Sequence, residues 1–194
     1  MKAMSSLIRR LRGVTLIELM VGVAVLGVVL AVAAPAMGDL LERRRVIAAA
    51  EEVASLLTYA KAETNATNST LFVRFDPDPA LTMSCAVVVT TSGANACRCY
   101  KTPASVCTGT SSEMLRLFQL PRDHVTFSAQ ATTWAGSPNY IVFDREQMGI
   151  LTTGFQVNVL GNRRGYALRV EVNTAGRVKI CTPSGGMTGY ATCV

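Results

Sequence analysis

Apolar residues follow three successive patterns along the chain. From Leu19 to Met37 there are 19 residues without a charge, close to the roughly 20 that an α-helix needs to cross a bilayer core. The next stretch, to about Asn68, has apolar residues at every third or fourth position, which predicts an amphipathic helix. They are Val46, Ala49 or Ala50, Val53, Leu56 or Leu57, and Ala60. Beyond this helix the apolar period falls to about two, which predicts β-strands.

Eight short segments carry the strand pattern. They are residues 71–75, 86–91, 114–120, 125–128, 140–143, 155–160, 167–172 and 177–181. The connections between them are short and rich in turn residues, which favours antiparallel pairing. The sequence therefore predicts an α+β fold. One long N-terminal helix, transmembrane and then amphipathic, packs on one antiparallel β-sheet or on two.

The apolar run is preceded by a basic leader and contains one acid. Residues 1–13 hold Lys2, Arg9, Arg10 and Arg12 and no carboxylate, so this end should remain cytoplasmic. Glu18 lies five residues after Gly13. An ionised carboxylate in hydrocarbon costs about 2.5 to 3.5 kcal/mol, so we expect a specific partner for it.

Residues 10–22, RLRGVTLIELMVG, closely resemble the N-terminus of type IV pilins and type II secretion pseudopilins. The resemblance implies that a prepilin peptidase cleaves between Gly13 and Val14 and methylates Val14, which stands where the family usually has Phe. It implies that Glu18 pairs with the amino terminus of a neighbouring subunit, and Pro35 matches the proline that kinks or locally melts the pilin helix. A secretory signal is the alternative, but its apolar region, about 7 to 15 residues, is shorter.

These features predict four segments: a leader at 1–13, a transmembrane and assembly helix at 14–37, an amphipathic helix half at 38–68, and a globular β-rich domain at 69–194. The expected location is the bacterial inner membrane, with one span and a periplasmic C-terminus, and then a pilus or pseudopilus. Asp39 and Glu42 either form a capping box or lie inside a continuous helix through Pro35, which the resemblance favours. Residues 43–45, three arginines, are either a solvated face or a contact with lipid phosphates or a neighbouring subunit.

All six cysteines follow the span, in a compartment that permits disulfides. They are Cys85, Cys97, Cys99, Cys107, Cys181 and Cys193. An even count allows three bridges in 15 connectivities. The preferred pairing joins Cys181 to Cys193 and leaves the other four to staple the region 85–107. The spacing does not suit a zinc site, and neither a metal nor a cofactor is expected.

Positive charge is concentrated near the C-terminus. Four of the 19 basic residues leave with the leader, so 15 remain against 13 acids, and residues 151–194 hold five basic residues and one acid. The five are Arg163, Arg164, Arg169, Arg177 and Lys179. On a strand, Arg177 and Lys179 would share a face about 7 Å apart, and the turn at 161–165 could bring Arg163 and Arg164 to it. Such a cluster would bind DNA without reading sequence. It could instead be a solvated face or a dock for another minor pilin.

A second, looser resemblance covers the C-terminal half. Phe143, Asp144 and Gly149, the arginine-rich turn and residues 175–181 are similar to the GspH/FimT group of minor pilins and pseudopilins. The DNA-binding FimT branch has the motif Gly, Arg, any residue, Arg. Here it reads Gly176, Arg177, Val178 and Lys179, so a lysine replaces the final arginine. The resemblance implies a minor pilin at the tip of a type IV pilus that takes up DNA.

Two alternatives stay open beside that function: a FimU-like tip-priming pilin without DNA binding, and a GspH-like pseudopilin of a type II secretion system. Catalysis is not expected, because His124 is the one histidine and the sequence has neither a GxSxG nor a P-loop pattern. The expected partners are other pilin subunits, the prepilin peptidase, the inner membrane and DNA.

Overall fold

The computed structural model describes residues 14–90, 97–108, 112–130, 139–144, 149–150, 154–184 and 186–193. The predicted leader, with Gly13, lies outside them. The chain divides into two compact units, Met1–Asp39 and Leu40–Val194. One α-helix, α1, runs from Leu16 to Thr67. It continues through position 35, so Asp39 and Glu42 lie inside a continuous helix, the alternative that the resemblance favours, and do not form a capping box.

Nine strands follow the helix. They are β1 (Leu71–Arg74), β2 (Met83–Val89), β3 (Met114–Pro121), β4 (Val125–Gln130), β5 (Tyr140–Asp144), β6 (Gly149–Ile150), β7 (Phe155–Gly161), β8 (Ala167–Val172) and β9 (Val178–Cys181). A 3-10 turn at Pro103–Ser105 lies between β2 and β3. The eight predicted strands are confirmed to within a few residues at their ends. The two-residue β6 and the 3-10 turn were not predicted.

The strands form two antiparallel sheets. One has the order β3-β2-β1-β5-β6 and the other β4-β7-β8-β9. The strands β3 and β4 are consecutive in the chain and joined by a three-residue turn at 122–124, yet they belong to different sheets. The α+β prediction is thus confirmed, in its form with two sheets.

The main core of Leu40–Val194 is built from α1 and one face of each sheet. The predicted helix stripe is buried at every position, from Val46 to Ala60. A second cluster, which includes Val87 and Val89, covers the opposite face of the first sheet. Because both faces of β2 are covered, it is buried continuously from Ser84 to Val89. The unit Leu40–Val194 therefore has its own core, and we expect it to fold without the apolar segment.

The loop between β1 and β2 is organised by one carboxylate. Asp78 accepts hydrogen bonds from the Thr82 hydroxyl (2.7 Å) and from the backbone N–H groups of Ala80, Thr82 and Met83. These bonds, that of the Thr82 hydroxyl first, outweigh burial and lower the pKa of Asp78 from 3.8 to about 2.

A carboxyl whose pKa is lower in the folded than in the unfolded chain stabilises the fold at pH values above its unfolded pKa. That stabilisation is lost as the pH falls through the folded pKa. We therefore expect the loop to keep its structure down to about pH 3 and to open as Asp78 protonates near pH 2. An NMR titration of the Asp78 carboxyl in Leu40–Val194, with Thr82→Ala as the comparison, measures this. The pKa should rise in Thr82→Ala, and an unchanged value would contradict the assignment.

Candidate assembly motif and basic surfaces

Glu18 lies in the first turn of α1 and is bonded to the residue that precedes the helix. The backbone N–H of Thr15 donates to Glu18 Oε2, and the backbone N–H of Glu18 donates to Thr15 Oγ1, each at 3.3 Å. The Thr15 hydroxyl also lies 3.3 Å from Glu18 Oε2. This is a capping box, with Thr15 as the N-cap and Glu18 at the third helical position. In the single chain the acid therefore stabilises the start of its own helix.

Sequence reasoning missed this cap, although its signal was present. The pattern Thr, any two residues, Glu marks a helix start before an apolar run, and it occurs at Thr15 to Glu18. A similar pattern at Asp39 and Glu42, one of two alternatives there, lies inside the helix and does not mark its start.

The structure does not bring the five C-terminal cations together. Arg163 and Arg164 lie in the turn between β7 and β8, whereas Arg177 lies in the turn between β8 and β9. These turns are at opposite ends of β8, whose six residues span about 20 Å. The expectation that the two arginines of the first turn approach Arg177 is wrong, because an intervening antiparallel strand separates its two flanking turns.

The remaining basic residues on this sheet are partly neutralised. Arg169 Nε donates to Asn158 Oδ1 at 2.9 Å, and Arg169 Nη1 lies 3.8 Å from Glu171 Oε1. Glu171 is also in register with Lys179 on β9. Arg177 precedes β9 rather than lying within it, and both Arg177 and Lys179 are exposed. The exposed positive charge at this end is therefore smaller than the sequence suggested.

A lysine from the helix joins this end of the sheet. Lys61 Nζ donates to the carbonyl oxygen of Ala175 at 2.7 Å, beside Gly176, whose φ is +67°. Sequence reasoning could not find Lys61, which lies more than 100 residues earlier in the chain.

Three disulfides close the loops of the domain. They join Cys85 to Cys99, Cys97 to Cys107, and Cys181 to Cys193. The first two staple the region 85–107, and the third closes the C-terminal loop. Met187 of that loop is buried in the main core, and Thr188 accepts hydrogen bonds from Arg43 through its carbonyl oxygen (2.7 Å) and its hydroxyl.

Residues 8–34 match the family described as the prokaryotic N-terminal methylation motif. The match covers the end of the leader, the Gly13–Val14 junction and Glu18. Over these residues the chain therefore carries the N-terminal motif found in type IV pilin-like proteins.

One solved structure similar to this chain is the minor pseudopilin EpsH from the type 2 secretion system of Vibrio cholerae. The two are 11% identical, with a TM-score of 0.44 over 71% of this chain and 97% of that one. No curated protein sequence matches the chain.

The apolar N-terminal helix has the length and hydropathy of a membrane anchor. Among the described residues, Leu16–Thr67 is the helix that is long and apolar enough to span a bilayer, with a mean hydropathy of 2.7 in its most apolar window. Together with the methylation motif, this fits anchoring in the inner membrane followed by assembly into a pilus or pseudopilus.

Proposed function

We propose that this pilin-like chain is a minor pilin of a type IV pilus. In this proposal the prepilin peptidase cleaves between Gly13 and Val14, Val14 is methylated, and the segment 14–37 enters the filament as an assembly helix. The observation that carries it is the methylation motif over residues 8–34. Fourteen large apolar side chains from Val14 to Met37, all exposed in the single chain, need a bilayer or a helical bundle to cover them.

In the filament, the Glu18 carboxylate gives up its hydrogen bonds with Thr15. It pairs instead with the amino terminus of a neighbouring pilin. The capping box leaves the charge of Glu18 uncompensated by a cation, because Thr15 supplies only hydrogen bonds. Inside a dry bundle a carboxylate remains stable only when a cation is paired with it. The pair would thereby set the register of the incoming subunit.

Gene deletion separates this function from that of a secretion pseudopilin. A minor pilin predicts loss or shortening of pili, whereas a GspH-like pseudopilin predicts that exported enzymes stay in the cell while pili remain. A FimU-like tip-priming pilin shares the loss of pili but has no affinity for DNA. Normal pili in the deletion strain would contradict the proposal.

DNA binding is a second activity, which we place at the Arg177 turn. Arg177 and Lys179 are exposed, and Lys61 adds a third cation within the same region. Neutralising a few phosphates gives weak, salt-dependent binding without sequence preference. Arg163 and Arg164 do not belong to this surface.

We expect Arg177→Ala with Lys179→Ala to abolish DNA binding by Leu40–Val194. In the wild type, binding should weaken as salt rises, because phosphate contacts release counterions. Electrophoretic mobility shift at two salt concentrations measures both.

The matched control is Arg163→Ala with Arg164→Ala, which removes two positive charges from the other end of the sheet. This variant should still shift the mobility of DNA. Equal loss of binding in both variants would mean that only net charge matters, and the Arg177 turn would then not be the site.

A further inference from the structure

Five arginines from two distant segments of the chain meet at the end of the domain where α1 enters it. We call them the arginine collar: Arg43, Arg44 and Arg45 on α1, and Arg163 and Arg164 in the turn between β7 and β8. They are brought together by Glu42, whose Oε1 accepts hydrogen bonds from the backbone N–H groups of Arg163 (2.9 Å) and Arg164 (3.0 Å). The turn is thus fixed against the helix immediately before its three arginines.

The collar surrounds the helix instead of forming one face. Consecutive residues of an α-helix are about 100° apart, so Arg43, Arg44 and Arg45 point in three directions spread over about 200°. Arg43 contacts Thr188 of the C-terminal loop, whereas Arg45 lies with Asp123 and His124 along a groove beside β3 and β4. The three arginines therefore do not share one direction, although Arg44 and Arg45 are both exposed.

The positive charge of the collar is accessible. Four of its arginines are exposed and Arg43 is half-buried. Among the described residues, the side chains of Arg44, Arg45 and Arg163 form no ion pair. Three acids lie near these five arginines: Glu42, to which the turn is bonded, Asp39 on α1 and Asp123 in the adjoining turn. The collar therefore keeps a net positive charge around the helix axis.

We propose that the collar binds the anionic phospholipid headgroups of the membrane from which the chain emerges. A membrane surface offers phosphates over an area wider than the collar, so arginines that point in several directions can each reach a phosphate. A rod such as DNA would contact only one side. The membrane surface is also within reach of the collar. Arg43 follows Met37, the last residue of the apolar segment, by six residues, which span at most about 20 Å of extended chain. The inference rests on the membrane anchoring described above, and on no claim about the filament.

As a consequence, the domain would stay in contact with the membrane surface before the subunit is assembled. Basic residues next to a span strengthen contact with anionic lipids, each arginine by about fivefold in the binding constant. Extraction into a filament would have to break these contacts. The collar would thus keep the domain of an unassembled subunit at the bilayer surface and act against its premature release.

The test uses Leu40–Val194, which contains its own core and lacks the span. Sedimentation with vesicles of equal parts phosphatidylglycerol and phosphatidylcholine should pull down the domain, and vesicles of pure phosphatidylcholine should not. Arg163→Ala with Arg164→Ala should weaken binding about twentyfold to thirtyfold. Binding should also fall as salt rises from 50 to 200 mM, about the range over which exposed charges become screened. Circular dichroism checks that each variant is folded.

The matched control is Arg177→Ala with Lys179→Ala, which removes two cations at the far end of β8 and should bind vesicles as the wild type does. Equal weakening in the two variants would overturn the proposal, as would wild-type binding by the Arg163 and Arg164 variant. Loss of DNA binding in that variant, with vesicle binding kept, would assign the collar to nucleic acid instead. None of these outcomes bears on filament assembly, which the Glu18 variants below test separately.

Discussion

Glu18→Gln is expected to remove this subunit from filaments while leaving it anchored in the membrane. Glutamine keeps a side-chain oxygen that can accept the bonds from the Thr15 N–H and hydroxyl, so the helix start is preserved, but it cannot form an ion pair. Removing one member of a buried pair costs about 3 to 5 kcal/mol, which is at least a hundredfold in binding. The measurement is the fraction of the chain in sheared filaments against the fraction in membranes.

Thr15→Ala provides the comparison that separates capping from pairing. It removes the N-cap hydroxyl, at a cost of about 1 kcal/mol to the helix, but leaves the carboxylate available to a neighbour. We expect Thr15→Ala to assemble at reduced level and Glu18→Gln to be excluded. If Glu18→Gln enters filaments normally and Thr15→Ala does not, the role of Glu18 is capping alone.

Local patterns were sufficient to predict the elements of this fold. The stripe from Val46 to Ala60 follows the helical period because one face of α1 packs on the core. The alternation in β7 and β8 likewise gives one buried and one outward face for each strand. Both patterns depend only on residues that are close in sequence.

The candidate sites depended on contacts that are distant in sequence, and these could not be predicted. The turns holding Arg163 and Arg177 are 14 residues apart in the chain, but the antiparallel strand between them places them at opposite ends of the sheet. Arg163 instead lies beside Glu42, 121 residues away. The pairing of the four cysteines between 85 and 107 was equally open, because all of them are close enough in sequence for several connectivities.

Glu42→Ala is expected to destabilise Leu40–Val194 by about 3 kcal/mol. The carboxylate is only 4% exposed, and its Oε1 accepts two backbone hydrogen bonds from the β7–β8 turn. Hydrogen bonds to a charged group contribute about 1.5 to 3 kcal/mol each, and the alanine variant leaves two amides without their acceptor. Urea unfolding measures the change. Glu42→Gln, which keeps an acceptor oxygen, should lose about half as much, and equal losses in the two variants would contradict the hydrogen-bond explanation.

A substitution at Gly161 tests the contact between Glu42 and the β7–β8 turn independently. A Cβ at this position would lie 2.5 Å from Glu42 Oε1, a distance that forces the carboxylate to move and break its bonds to the turn. Gly161→Ala should therefore cost about 2 kcal/mol in the wild type and much less in Glu42→Ala, where the obstructing group is absent. A double-mutant cycle should give a coupling of at least about 1 kcal/mol. Strictly additive effects would mean that glycine is required at 161 for another reason. Strong coupling would show that Glu42 fixes the turn that carries Arg163 and Arg164, on which the geometry of the collar depends.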